Sequence, residues 1–273
     1  MIPVGFDYER VASADEALAL LAQHGDDAKL LAGGHSLLPL MKLRFATPSV
    51  LIDVGRVSEL SYVREVGDAV AIGALTRHHD VQHSDLLKAQ VPILAHAAGQ
   101  VGDQQVRHRG TIGGSIAHGD PASDLPAVVL ALGGTMVIRG QKGEREVAAG
   151  DFFTGFLETA LGPDELLTEI RVPKVPGAGW SFQKLTKRAQ DWAIVGAAVV
   201  RNGTTGIALV NMGATPVRAT AAEAALDGGA SVADAAALAD QGAEPSADIN
   251  ASEEFRRHLA RVLVRRGLEE AAK

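Results

Sequence analysis

The sequence predicts a mixed α and β protein in three successive parts: a small lobe of strand, helix and strand, a larger lobe of hairpins and helices, and a C-terminal unit of strands followed by helices. Three observations predict it. Helical and strand periodicity alternate up to about residue 54, turn pairs separate apolar runs between 60 and 172, and residues 173–179 hold two prolines and two glycines before the pattern restarts. At 273 residues the chain exceeds one ordinary domain of about 100–200 residues.

Ser13, Ala14, Asp15 and Glu16 make a capping box, and Leu18, Leu20 and Leu21 follow before Gly25, which predicts a helix over about 14–24. A short strand at 29–32, a helical turn at 37–45 and a strand at 50–54 entered through Pro48 complete a β-α-β-like lobe that ends near 55. Gly67 and Asp68 split the alternating run 60–75 into a hairpin. Thr76 is a candidate cap for a helix reaching about Ser84. Helices are expected at 92–101 and 125–132, a hairpin at 135–139 with 144–147, and a closing strand at 166–172. Beyond the boundary come strands at 181–185, 193–201 and 206–211, the last two joined by an Asn202-Gly203 turn, and then helices at about 219–226, 231–241 and 251–270. The final helix sets Arg256, Arg257, Arg261, Arg265 and Arg266 over an apolar face of Phe255, Leu259, Val262 and Leu263, so the arginines read as a solvated face.

Thirty-three acidic against 26 basic residues leave a formal charge of −7, which argues against a nucleic-acid partner. No apolar run reaches the length of a transmembrane segment, and Asp15 and Glu16 precede the first apolar stretch, so a cytoplasmic address is expected. There is no cysteine, which removes disulfides, thiolate nucleophiles and ordinary iron–sulfur ligation from this chain.

Neither GxxxxGK[ST] nor a GxGxxG after a strand is present, so P-loop and standard Rossmann sites have no support. Four glycine pairs occur against roughly three expected by chance, so context must separate them. Gly133-Gly134 and Gly228-Gly229 sit in turn-like surroundings. Ala32-Gly33-Gly34-His35-Ser36 and Thr111-Ile112-Gly113-Gly114-Ser115 instead run into hydroxyl side chains between apolar segments. Glycine there serves either a tight turn with positive φ or a nest of backbone N–H groups around an anion, to which Ser36, Thr111 and Ser115 add hydroxyls; two such segments suit a diphosphate. Residues 115–126 are dense in polar groups, and Asp124 reads either as a helix cap or as an acceptor for ribose or ribityl hydroxyls. His78, His79 and His83 contain an i, i+4 pair, which is metal-ligand spacing, but lack a third ligand arranged nearby, and His35 beside Ser36 is poorly placed for nucleophile and base.

The motifs AGGHSLLPLMKLR (32–44), TIGGSIAHGDPASDLP (111–126), ELLTEIRVP (165–173) and QKLTKRAQDWAIVGAAV (183–199) together resemble the FAD-binding medium subunit of molybdenum-containing hydroxylases, the carbon monoxide dehydrogenase and xanthine dehydrogenase family. The resemblance spans essentially the whole chain. It implies an α+β fold: a two-lobed FAD-binding domain of PCMH type over 1–176, with lobes of about 1–54 and 55–176, then a C-terminal domain over 177–273 of carbon monoxide dehydrogenase flavoprotein type, with a small antiparallel sheet plus helices.

The same resemblance implies FAD contacts at Ala32, Gly33, Gly34, His35 and Ser36, at Thr111, Ile112, Gly113, Gly114 and Ser115, and at Asp124, Leu167 and Lys184. Trp192 falls where relatives often carry Tyr beside the flavin ring; indole keeps the aromatic wall and removes the O–H. The implied function is an electron-transfer subunit with no catalytic residue and no metal of its own. A molybdenum–pterin cofactor is expected on a large partner and [2Fe–2S] clusters on a small one, in a dimer of heterotrimers that delivers electrons to an external acceptor. Two rivals stay open at this level: a self-sufficient FAD-dependent oxidase or dehydrogenase, and a flavin-free scaffolding module.

Overall fold

The computed structural model describes residues 2–273. The first lobe opens with an exposed strand β1 (Asp7–Arg10), which sequence reasoning missed because DYER carries no apolar alternation. Helix α1 (Ala14–His24) starts as expected: Ser13 Oγ accepts from the Glu16 amide at 3.2 Å, and Glu16 reaches back to the Ala12 amide at 2.7 Å. Strand β2 (Ala28–Leu31), helix α2 (Leu37–Leu43) and strand β3 (Val50–Asp53) follow. The sheet is parallel in the order β1-β3-β2, so the most apolar strand is central and buries Leu51 and Ile52.

The second lobe is a five-stranded antiparallel sheet in the order β4-β5-β10-β6-β7. Strands β4 (Val63–Val66) and β5 (Ala69–Gly73) turn at Gly67, whose φ of +55° explains the glycine. Four short helices come next: α3 (His78–His83), α4 (Asp85–Gln90), α5 (Pro92–Gly99) and α6 (Gln104–Arg109). Thr76 does not cap α3; its hydroxyl exchanges hydrogen bonds with the backbone of Tyr62, and Arg77 occupies the cap position. Helix α7 (Ile112–His118) and helix α8 (Asp124–Ala131) lead into strands β6 (Thr135–Gly140) and β7 (Gly143–Ala148). A short helix α9 (Ala149–Phe152) and a small hairpin, β8 (Phe153–Gly155) with β9 (Glu158–Thr159), precede the central strand β10 (Leu166–Pro173). Helices α4, α6, α7 and α9 are too short for apolar periodicity to reveal.

The C-terminal sheet runs β11 (Gly179–Leu185), β12 (Val195–Asn202), β13 (Thr204–Val210) and β14 (Val217–Arg218), antiparallel and in sequence order. Helices α10 (Thr220–Asp227), α11 (Val232–Ala236) and α12 (Glu253–Glu270) complete it. Strand side chains alternate between two cores: Ala198, Val200, Ala208 and Val210 join the core of the second lobe around α8, while Val195, Ala197, Val199, Ile207 and Leu209 face α12. Residues 173–179 are thus a chain connection between layers that share apolar packing.

The last helix differs from its expected faces. Phe255 is 45% exposed, and the buried stripe is Leu259, Ala260, Leu263, Val264 and Leu268. Arg256 belongs to the interior: it is 2% exposed, pairs with Asp248 at 2.8 Å and donates to the Ile194 carbonyl. Its charge is offset inside by that ion pair and carbonyl, while Nε is left without a partner.

Candidate functional site

A cleft of about 1270 Å³ runs between the two lobes and reaches the C-terminal unit. Ala32, Gly33, Gly34, His35 and Ser36 line it from the turn between β2 and α2; Thr111, Gly113, Gly114 and Ser115 line it from the start of α7. Asp124, Leu167 and Trp192 also border it. Ile112 lies behind the wall, fully buried, and Lys184 reaches the site through Asp124.

The two glycine segments are built differently. In the first, Gly34 adopts φ +80°, a turn conformation that favours glycine. Gly33 is required by proximity, because a Cβ there would lie 2.4 Å from the Arg109 carbonyl oxygen and 2.8 Å from Gly110 Cα. Among the described residues, the amides of Gly33, Gly34, His35 and Ser36 donate to no protein acceptor in this turn. They are available to an anion. The leucines beside the glycines are only half-buried: Leu30, Leu37 and Leu40 border the cleft, and Leu38 is 36% exposed. Met41 is the residue of α2 that enters the interior.

The second segment is a helix start. Ile112 and Gly113 donate their amides to the Thr76 and Ala74 carbonyls, the Gly114 amide goes to Thr111 Oγ1 at 3.0 Å, and the Ser115 amide to the Thr111 carbonyl. This segment therefore offers hydroxyls and bare glycine surface to the cleft, while its amides hold the helix. Gly113 sits against Ala74, where a Cβ would be 2.4 Å from the alanine methyl. Gly114 is exposed, and a Cβ there would meet only Thr111 Oγ1 at 2.7 Å.

Asp124 is the first residue of α8, with Ser123 at the cap position, so its carboxylate is free for another task. It is 4% exposed, and its Oδ2 accepts from Lys184 Nζ at 2.8 Å, while Lys184 also donates to the Gln100 carbonyl at 3.0 Å. Burial pushes the Asp124 pKa up to about 6, against the opposing pull of Lys184. Oδ1 has no partner in the protein. A buried carboxylate oxygen left open at the wall of a cleft is an acceptor awaiting a donor. On the far side, Trp192 is 71% exposed and presents its indole at the mouth.

Chain parts that sequence reasoning did not assign complete the wall. Leu157, Glu158 and Thr159 enter from the β8–β9 hairpin, Lys187 and Asn250 from loops of the C-terminal unit, and His78 from the start of α3. Lys187 lies within the motif 183–199 and His78 beside the His79/His83 pair, but neither pattern assigned them to a cleft; tertiary contact brings all of these residues here. His79 packs against His83, tilted, and His108, edge-on, at ring separations of 4.3 and 4.2 Å. Among the described residues no group of three or more His, Asp or Glu is arranged to hold a metal, and no helix is long and apolar enough to cross a membrane.

Two family models match the chain. The FAD binding domain in molybdopterin dehydrogenase covers residues 4–175, and the CO dehydrogenase flavoprotein C-terminal domain covers 180–271. The chain belongs to the FAD-binding medium subunits of the molybdenum hydroxylases. Among similar members, the carbon monoxide dehydrogenase medium chain of Hydrogenophaga pseudoflava is 44% identical, with 99% of this chain and 98% of that protein covered. A structure of carbon monoxide dehydrogenase from the same organism, lacking the Mo-pyranopterin moiety of its cofactor, superposes with a TM-score of 0.96 at 47% identity over 100% and 99% of the two chains. Quinoline 2-oxidoreductase from Pseudomonas putida gives a TM-score of 0.93 at 35% identity over 100% and 98%. These medium subunits are FAD-binding chains of multi-subunit oxidoreductases, and the self-sufficient alternative is not favoured.

Proposed function

We propose that this chain takes electrons from [2Fe–2S] clusters of a small partner subunit and passes them to an external acceptor, with FAD held in the cleft. A large subunit with a molybdenum–pterin cofactor would carry the overall oxidation, the assembly being a dimer of heterotrimers in the cytoplasm. The observation that carries the reading is the convergence of both glycine segments, Asp124 and Trp192 on one cleft. The absence of cysteine agrees with clusters on another chain. The sequence domains proposed are 1–176 and 177–273.

The cleft fits the cofactor on its own chemistry. The four open amides of residues 33–36 suit a diphosphate, the Ser36 and Ser115 hydroxyls stand beside it, and Gly114 leaves room for close approach. Asp124 Oδ1 would accept from a cofactor hydroxyl, and the Lys184 ion pair holds that carboxylate in place from β11. Leu167 supplies an apolar wall and Trp192 an aromatic one near solvent. When bound, FAD links one-electron donors to a two-electron acceptor. The protein binds, orients and partly shields it.

Two measurements test this. FAD added to the cofactor-free chain should quench tryptophan emission, and Trp192→Phe, which leaves only Trp180, should lose most of that quenching. In the assembled complex, oxidation of the substrate by the large subunit should reduce and so bleach the flavin, and omission of the small subunit should stop it. Flavin reduction without that subunit would overturn the relay.

A further inference from the structure

His78 lies outside both glycine motifs but borders the same cleft. It is 4% exposed, and its backbone amide donates to the Gly110 carbonyl at 3.0 Å. The Cδ2–Nε2 edge of the ring lies over Gly110: a Cβ on that glycine would come within 2.8 Å of Cδ2 and 3.0 Å of Nε2. Gly110 in turn packs against Gly33. His78, Gly110 and Gly33 therefore form one stack that ends at the turn with open amides.

Among the described residues, Nδ1 is buried without a partner, and no hydrogen bond bears on the ring's titration. The enclosed Nδ1 leaves Nε2, on the ring edge over Gly110, as the nitrogen that a ligand in the cleft can meet. Burial, then His35, Arg107 and Arg77, hold the His78 pKa down to about 4, so the ring is neutral at neutral pH and keeps one N–H to donate. The two arginines make this end of the cleft favourable to a dianion.

We propose that His78 is a further binding residue of the cleft, donating from Nε2 to the diphosphate of the bound dinucleotide beside the Gly33–Ser36 turn. The inference rests on FAD lying in the cleft with its diphosphate at that turn.

His78→Gln and His78→Asn test it in the full-length chain, because a Gln amide reaches the place of Nε2 and an Asn amide only that of Nδ1. FAD titrations followed by flavin fluorescence should leave H78Q within about threefold of wild type and weaken H78N by roughly ten- to a hundredfold, the range of a hydrogen bond to a charged group. ADP, which carries the diphosphate without the flavin, should compete with the same order of affinities. Equal FAD affinity of the two variants, or the reverse order, overturns the role of His78. A wild-type chain that takes up no FAD overturns the assignment of the cleft itself, which is a different result.

Discussion

Gly33→Ala and Gly114→Ala add one methyl to each glycine pair, and the structure predicts opposite effects on the FAD-free chain. The Gly33 methyl would sit 2.4 Å from a backbone carbonyl oxygen and 2.8 Å from Gly110 Cα. Ordinary contacts lie near 3.5 Å, so two chain segments must separate by roughly 1 Å. Overpacking of this kind costs about 1–3 kcal/mol, and more where backbone must move. For a chain of this size each kcal/mol lowers the melting temperature by roughly 2–4 °C, so G33A should melt about 2–12 °C below wild type. Gly114 stands in the first turn of α7 without positive φ, and its methyl meets only the Thr111 hydroxyl. Replacing glycine by alanine in a helix gains up to about 1 kcal/mol, which offsets that contact. G114A should therefore melt within about 2 °C of wild type or above it, yet lose at least about tenfold in FAD affinity, since a methyl at this exposed, cleft-lining position takes up room that close approach of the cofactor needs. Circular-dichroism melts of the FAD-free proteins and flavin titrations separate the two effects. A stable G33A together with an unstable G114A would refute the assignment of which glycine is structural and which faces the cofactor.

Two further outcomes are expected. The folded pKa of Asp124, about 6, lies above the ordinary aspartate value of 3.8, so its contribution is fully present below about pH 4 and is lost as pH rises through 6. A shift of about two units corresponds to about 3 kcal/mol, so the stability of Asp124→Asn relative to wild type should improve by that order between pH 4 and 7 in the FAD-free chain; a flat difference would contradict the buried state of Asp124. Arg256→Ala should destabilise the C-terminal unit by about 1–3 kcal/mol, read by urea denaturation, because it removes a buried side chain together with its pair to the half-exposed Asp248 and its bond to the Ile194 carbonyl. A loss below 1 kcal/mol would return Arg256 to the solvated face that its helix pattern suggested.

Long-period signals in the sequence translated directly into structure. The capping box at Ser13, the turn at Gly67 and the strands around Asn202-Gly203 appear where local chemistry demands them, because each depends on neighbours a few residues away. The glycine motifs were legible too, since their length and order separate them from the pairs at 133–134 and 228–229. Short helices were not legible: α6 and α7 have six and seven residues and are held by caps and cross-chain bonds more than by a stripe. Phe255 and Arg256 exchanged their expected places because helical spacing gives a period, and only the neighbouring sheet and the Asp248 loop select the phase.

By itself the sequence determined the family, the FAD class and the segments that build the cleft, because those rest on contiguous residue patterns. The tertiary structure decided how each glycine is used. Gly33 is excluded from any larger residue by a chain segment more than seventy positions away, Gly114 has only the Thr111 hydroxyl nearby, and the amides of the second motif are already spent on the start of α7 and on the Ala74 and Thr76 carbonyls. It also decided that Asp124 keeps one open oxygen and that His78 joins the site through Gly110. Such facts depend on which distant atoms approach within a few ångströms, and no local pattern in one chain encodes that distance.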